Sequence, residues 1–224
     1  MKKVLTTLCL SASIASASMI LGFGVEADYF TPEITGDFQY TDNGVSNTNF
    51  NGESDSSYQL GLYFEHPIPV VPNFRVDFTP DTTFTGSDGS SGTNTVTFAQ
   101  TDITAYYEIL DNIIDIDVGI TGKIVKGDVA GTSINQSGSM VIPMGYVAAG
   151  ISIPAIPVHV DADIKYIGYN DNTVSDMRIK AVWEVVMGLE VAAGYRYESL
   201  DLDGQDILST LKIKGPFVGV GYRF

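Results

Sequence analysis

The chain has 224 residues, 44% of them hydrophobic, a formal net charge of −15 and one cysteine. A length of this order suits one domain, and a lone cysteine rules out an internal disulfide framework. So large an acidic excess leaves no clusters of Lys and Arg to neutralise phosphates, which excludes nucleic acid as a partner.

Reading from the start, Lys2 and Lys3 precede a mostly apolar stretch from Val4 to Ile14, and Ala15-Ser16-Ala17 has the small-x-small form of a signal-peptidase site. Residues 1–17 are therefore expected to be a cleaved export signal and 18–224 the mature domain. About a dozen weakly apolar residues are too few to span hydrocarbon as a helix. Cys9 lies inside the apolar run and leaves with it, whereas a lipoprotein needs its cysteine after that run.

Downstream, apolar residues recur with period two and no helical stripe is evident, the pattern of strands with one oily and one wet face. In Ile113 to Ile124, the residues Ile114, Ile116, Val118, Ile120 and Ile124 share one face, and Asp115, Asp117, Thr121 and Lys123 the other. Met140 to Val158 carries no charge and is long enough for a transmembrane helix. Its prolines decide otherwise: Pro143, Pro154 and Pro157 break helical hydrogen bonds, and Pro154-Ala155-Ile156-Pro157 suits a tight turn, so a hairpin is expected. Val158 to Lys165 and Met177 to Glu184 repeat the alternation.

Strands are expected near 19–40, 56–66, 74–85, 94–110, 113–127, 139–153, 158–169, 174–184, 189–202 and 209–224. Short links at 66–73, 111–112, 154–157 and 185–188 alternate with loops rich in Asn, Gly, Ser, Thr and Asp, notably 42–55, 86–93 and 128–138. The expected class is all-β: a closed antiparallel up-and-down transmembrane β-barrel of about ten strands, with both termini in the periplasm. Lipid offers backbone amides no partner, so a sheet crossing it must close.

With the apolar faces toward lipid, the opposite faces carry Glu26, Asp28, Glu65, Arg75, Asp77, Asp102, Glu108, Asp115, Asp117, Lys123, Asp161, Asp163, Lys165, Arg178, Lys180, Glu184, Glu190, Arg196, Glu198 and Arg223 into the lumen. Mixed signs on that scale point to a cross-linked interior more than a wide hole, and a barrel of about ten strands is narrow. Aromatics are expected at the headgroup levels, with Phe64, Phe74, Trp183, Tyr222 and Phe224 on the short-turn side and Tyr29, Tyr58, Tyr166, Tyr195 and Tyr197 on the other.

The last strand alternates Pro216, Val218, Val220, Tyr222 and Phe224 with Phe217, Gly219, Gly221 and Arg223. Its terminal Phe224, with Tyr222 before it, resembles the C-terminal signal by which Gram-negative outer-membrane proteins are recognised by their assembly machinery. Glu65 to Asn73 (EHPIPVVPN), Thr101-Asp102 with Tyr106 to Asn112 (YYEILDN), and Gly215-Pro216-Phe217 resemble a family of small, largely uncharacterised Gram-negative outer-membrane β-barrel proteins. The resemblance spans most of the mature chain and implies a fold and an outer-membrane location, with lipid, lipopolysaccharide and the barrel-assembly machinery as partners. It supplies no ligand, reaction or oligomeric state.

Some ten-stranded outer-membrane barrels are proteases with acid and His residues at the extracellular rim. Here His66 abuts the first short turn and His159 follows the third, at the opposite end. His159 with Asp161 or Asp163 reads as a histidine bonded to a carboxylate, and no Ser-His pair is available near the outer leaflet. Asp42-Asn43-Gly44 and Asp88 lie in oxygen-rich loops without EF-hand spacing. No catalytic residue, cofactor or metal is expected. The expectation is a non-enzymatic envelope barrel with a structural or narrow, slightly cation-preferring pore role, against two alternatives. One is adhesion through the outer loops, and the other is a soluble ligand carrier with the two faces reversed.

Overall fold

A computed structural model describes residues 21–40, 46–53, 56–87, 93–130, 135–170, 172–203 and 207–224. The expected export signal, Asp42-Asn43-Gly44 and Asp88 lie outside the described residues. Strands account for nearly everything described, and no helix occurs among these residues. The strands are β1 (Gly22–Phe30), β2 (Glu33–Tyr40), β3 (Ser46–Glu53), β4 (Ser57–Glu65), β5 (Asn73–Ser87) and β6 (Thr93–Asp111), followed by β7 (Ile114–Ala130), β8 (Asn135–Ser152), β9 (Val158–Tyr169), β10 (Asn172–Val186), β11 (Leu189–Asp203) and β12 (Ile207–Arg223).

These twelve segments make ten staves. β1 and β2 both pair with β12, from Gly24 opposite Arg223 through to Tyr40 opposite Ile207, so they form one stave interrupted at Thr31-Pro32. Pro32 has no N–H to give to the ladder, while Thr31 keeps the connection by donating its N–H to the Pro216 carbonyl at 3.2 Å. β4 lies along β1 and β3 along β2, making the second stave. Every pairing is antiparallel, and the β1–β12 ladder joins the first stave to the last, so the sheet is a closed ring.

The hairpin expected within Met140–Val158 is present, with β8 ending at Ser152 and β9 starting at Val158. Its turn has Pro154 in second position and Ala155 at φ 75°, and the Ile156 N–H donates to the Ile153 carbonyl at 3.3 Å. That is type II turn chemistry, with alanine where glycine is usual. The next short turn does use glycine. Gly188 has φ 80°, and a Cβ there would collide with the Arg223 carbonyl, so the left-handed backbone and the close approach both require it.

The expected loops are shorter than the sequence suggests. The loop expected over 42–55 is largely strand, because Ser46–Glu53 pairs with β2 from Tyr40 opposite Ser46 to Glu33 opposite Glu53. The ladder of β7 and β8 likewise runs to Ala130 opposite Asn135, inside the loop expected over 128–138. Backbone pairing beyond the apolar zone has no need of an oily face, so SNTNFNGE forms a strand without the alternation by which strands are recognised.

Side-chain direction follows the sequence parity. On β7, Ile114, Val118 and Ile120 are exposed, the last at 71%, while Thr121, Lys123 and Val125 are buried. The outward apolar series from Ile114 to Ile124 covers about ten residue steps of about 3.3 Å, and a tilt near 40° makes its height roughly 25 Å, that of the apolar band of lipid-spanning barrels. Aromatics ring this band. Toward the short turns, Phe224 packs on Phe23 and Tyr222 with centroids 5.4 and 4.7 Å apart, and Phe64, Phe74 and Trp183 are exposed. Toward the loops, Tyr29 meets Tyr58 edge-on at 5.6 Å, and Tyr166 and Tyr195 are exposed while Tyr197 is half-buried.

Beyond the tyrosines, nearer the loops, the pattern inverts. Thr83, Thr85, Lys126, Asp128, Asp201 and Lys212 face outward and are exposed. Inside at the same level lies a cluster of Phe30, Ile34, Phe84, Val96, Phe98, Val125, Ile142, Met144, Val174, Leu200, Leu211, Ile213 and Phe217. The barrel is inside-out where its exterior is oily and right-side-out where its exterior is polar.

Candidate functional site: the layered lumen

Below the apolar cluster the lumen is crossed by an ion-paired belt. Lys123, fully buried, donates from Nζ to Gln100 Oε1 at 2.7 Å, Asp176 Oδ2 at 2.8 Å and Glu198 Oε1 at 3.1 Å, with Asp102 Oδ2 at 3.3 Å. Arg196 binds Asp176 through two parallel bonds of 3.0 and 2.7 Å, the strong forked geometry of guanidinium with carboxylate. Lys165 joins Asp102 at 2.6 Å to Asp77 at 3.2 Å. Arg75 bridges Asp77 and Glu26 at 2.9 and 2.6 Å, Lys180 reaches Glu26 at 2.7 Å, and Arg178 reaches Asp163 at 3.0 Å and Asp28 at 3.6 Å. Members come from β1, β5, β6, β7, β9, β10 and β11, so the belt ties opposite walls together.

Charges buried inside a barrel with an apolar exterior are tolerable only when paired and hydrogen-bonded, and here each cation faces at least two oxygens. One polar atom is left over: Asp102 Oδ1 is buried without a partner among the described residues. Close approach in the belt also explains a glycine, since a Cβ on Gly219 would overlap the Asp28 carboxylate that lies across it.

Nearer the short turns the lumen widens into a mouth with a cavity of about 240 Å³, lined by Tyr63, Glu65, Tyr106, Glu108, Asp111, Asp115, Asp117, Tyr146 and His159 among others. Tyr106 donates its hydroxyl to Glu65 Oε1 at 2.9 Å, and its ring meets Tyr146 at 5.9 Å. Arg223 at the rim pairs with Glu190 at 2.9 Å and donates to the Tyr63 hydroxyl at 3.2 Å.

Of the charged residues that the period-two reading turns inward, Glu26, Asp28, Arg75, Asp77, Asp102, Lys123, Asp161, Asp163, Lys165, Arg178, Lys180, Arg196 and Glu198 meet in the belt. Glu65, Glu108, Asp115, Asp117, Glu190 and Arg223 line the mouth. Glu184 joins neither: it is exposed at the end of β10 and accepts the Gly188 N–H at 3.3 Å. Asp176, central to the belt, is absent from that sequence reading, although it shares the parity of Arg178 and Lys180 two and four residues on. Gln59, Gln100 and the three lumenal tyrosines are absent too, since uncharged polar residues do not stand out against apolar neighbours.

Both histidines lie at the short-turn end. His66 accepts the Ile68 N–H on Nδ1 at 3.2 Å, which leaves Nε2 to donate to the Pro72 carbonyl at 3.1 Å; it braces the 66–72 turn. His159 Nε2 lies 3.4 Å from Asp161 Oδ2 on the same strand face. Among the described residues no group of acidic, His or Cys side chains is arranged to hold a metal ion.

A closed antiparallel barrel with an apolar waist defines the class. No protein-family model matches the sequence, and no curated protein matches it either. Among solved structures the chain is similar to the outer membrane protease OmpT from Escherichia coli, with a TM-score of 0.64 at 8% identity, over 91% of this chain and 97% of that one. It also aligns with the translocator domain of the autotransporter NalP from Neisseria meningitidis, at a TM-score of 0.46, 15% identity and coverages of 99% and 96%. The Neisserial surface protein A aligns at 0.41 and 11%, covering 90% and 97%. At such identities the first likeness establishes the fold and carries nothing about protease chemistry.

Proposed function

We propose that this chain is an integral outer-membrane protein of a Gram-negative envelope, with both termini in the periplasm, serving as a non-enzymatic, structural barrel that conducts no solute. One observation carries the reading: the ion-paired belt and the apolar cluster lie one above the other across the same lumen. An ion entering from the mouth meets bound cations and carboxylates, and beyond them a layer of mostly apolar side chains in which the buried hydroxyls of Ser57 and Thr82 bond to each other. That second layer speaks against the narrow cation-preferring passage expected from the charged faces alone. The apolar waist and its two aromatic rings support the membrane setting. On this reading the loop-end surface meets lipopolysaccharide, and Tyr222 and Phe224 present the last strand to the assembly machinery.

Planar-bilayer recording of the purified mature protein tests the proposal. The expected result is no discrete conductance at any holding potential, and reproducible unitary steps overturn it. Membrane fractionation with a heat-modifiable gel shift tests the location, and recovery in the soluble periplasm would contradict it.

A further inference from the structure

The mouth is electrically lopsided. Glu108 stands directly opposite Asp117, and Asp111 opposite Asp115, on the adjacent strands β6 and β7. Like charges in facing positions repel, and none of these four has an ion-pair partner among the described residues. The nearby cations are committed elsewhere, Arg75 to Asp77 and Glu26, Arg178 to Asp163 and Lys180 to Glu26. A net anionic wall thus borders a cavity of about 240 Å³ that opens at the short-turn end.

A separate feature points to the same occupant. Tyr146 is only 5% exposed and lines this cavity, yet its hydroxyl makes no hydrogen bond among the described residues. The hydroxyl is not among the buried atoms left without a partner and so is open to the cavity, whereas the neighbouring Tyr106 gives its own to Glu65. The mouth therefore offers unpaired negative charge beside a phenolic oxygen free to accept an N–H. The carboxylates are strung along the wall without enclosing a point, and no trio is placed to hold a metal ion, so the complementary shape is extended.

We infer that the mouth binds a small linear polyamine, whose ammonium groups lie at the Glu108–Asp117 and Asp111–Asp115 pairs while one N–H is donated to the Tyr146 hydroxyl. The cavity falls below the size of drug-type pockets, which suits a slender aliphatic amine better than a peptide. The site lies on the mouth side of the belt and uses only residues that line the mouth, so it does not depend on whether the barrel conducts.

Calorimetric titration of spermidine into the full-length mature barrel in detergent micelles at low salt tests this. Saturable binding near one equivalent is expected, weakened at least about tenfold by the E108Q/D117N pair and about threefold to tenfold by Y146F. D128N, an exposed acid on the outer wall near the loops, is expected to leave affinity unchanged. A heat-modifiable gel shift in each variant shows that the barrel is intact, and Y146F decides alone if the double variant does not fold. The inference is overturned if binding does not saturate, if Y146F or the intact E108Q/D117N binds like the parent, or if magnesium displaces spermidine at equal concentration.

Discussion

The two ends of this barrel solve the same packing problem in opposite solvents. Around the waist, Ile120 and Val218 face outward while Lys123 and Arg178 are buried inside. Nearer the loops, Thr83 and Lys126 face outward while Phe84 and Val125 are buried. One strand, β7, makes the exchange within its own length, as its inward series passes from Asp115, Asp117 and Lys123 to Val125 and its outward series from Ile120 and Ile124 to Lys126 and Asp128. The backbone does not change; what changes is which side is wet. Burial alone therefore does not predict polarity in such a protein, because height along the axis decides its sign.

The sharpest way to break the comparison is at its most charged point. Lys123→Ala leaves Asp102, Asp176 and Glu198 facing one another without their shared cation. Destabilisation near the upper end of the range for a broken buried pair, about 5 kcal/mol, is expected in urea unfolding from micelles. Phe84→Ala, in the opposite half, removes a ring that is 1% exposed and is expected to cost about 3–4 kcal/mol, a cavity effect insensitive to salt. The exterior supplies a matched pair. Ile120→Arg puts a charge against hydrocarbon at mid-waist and is expected to cost about 3 kcal/mol, whereas Thr83→Arg, on the polar exterior, is expected to cost about 0–1 kcal/mol. Equal costs at the two positions would show that both halves face one solvent, and the inversion would be lost.

Much of the fold was legible because period-two alternation is strong at the waist. Asp115 and Lys123 on one face, with Ile116 and Ile120 on the other, were sorted by parity, and Pro154 and Pro157 excluded the helix that hydropathy alone would have allowed. Two things were not legible. SNTNFNGE at Ser46–Glu53 carries no oily face, so only its hydrogen bonds to β2 reveal it as a strand. The apolar lumenal layer shares parity with the charged belt, so Val125, Phe98 and Val174 read as lapses in a charged face. Lys126 and Asp128, turning up on the parity of Ile120 and Ile124, were the available sign that the faces had exchanged roles. Within the candidate site, parity could nominate Glu26 and Lys180 but could not pair them, because 154 positions separate them and only ring closure brings them within 2.7 Å.

The ladder from Gly24–Arg223 to Tyr40–Ile207 has a consequence in time. It joins the earliest stave to the latest, so until β12 exists the growing sheet has two raw margins, and a margin immersed in hydrocarbon leaves each idle amide unsatisfied at several kcal/mol. A half-made sheet cannot wait in the bilayer alone. On the proposed location, insertion and ring closure are one event, or a host shelters both margins until they meet.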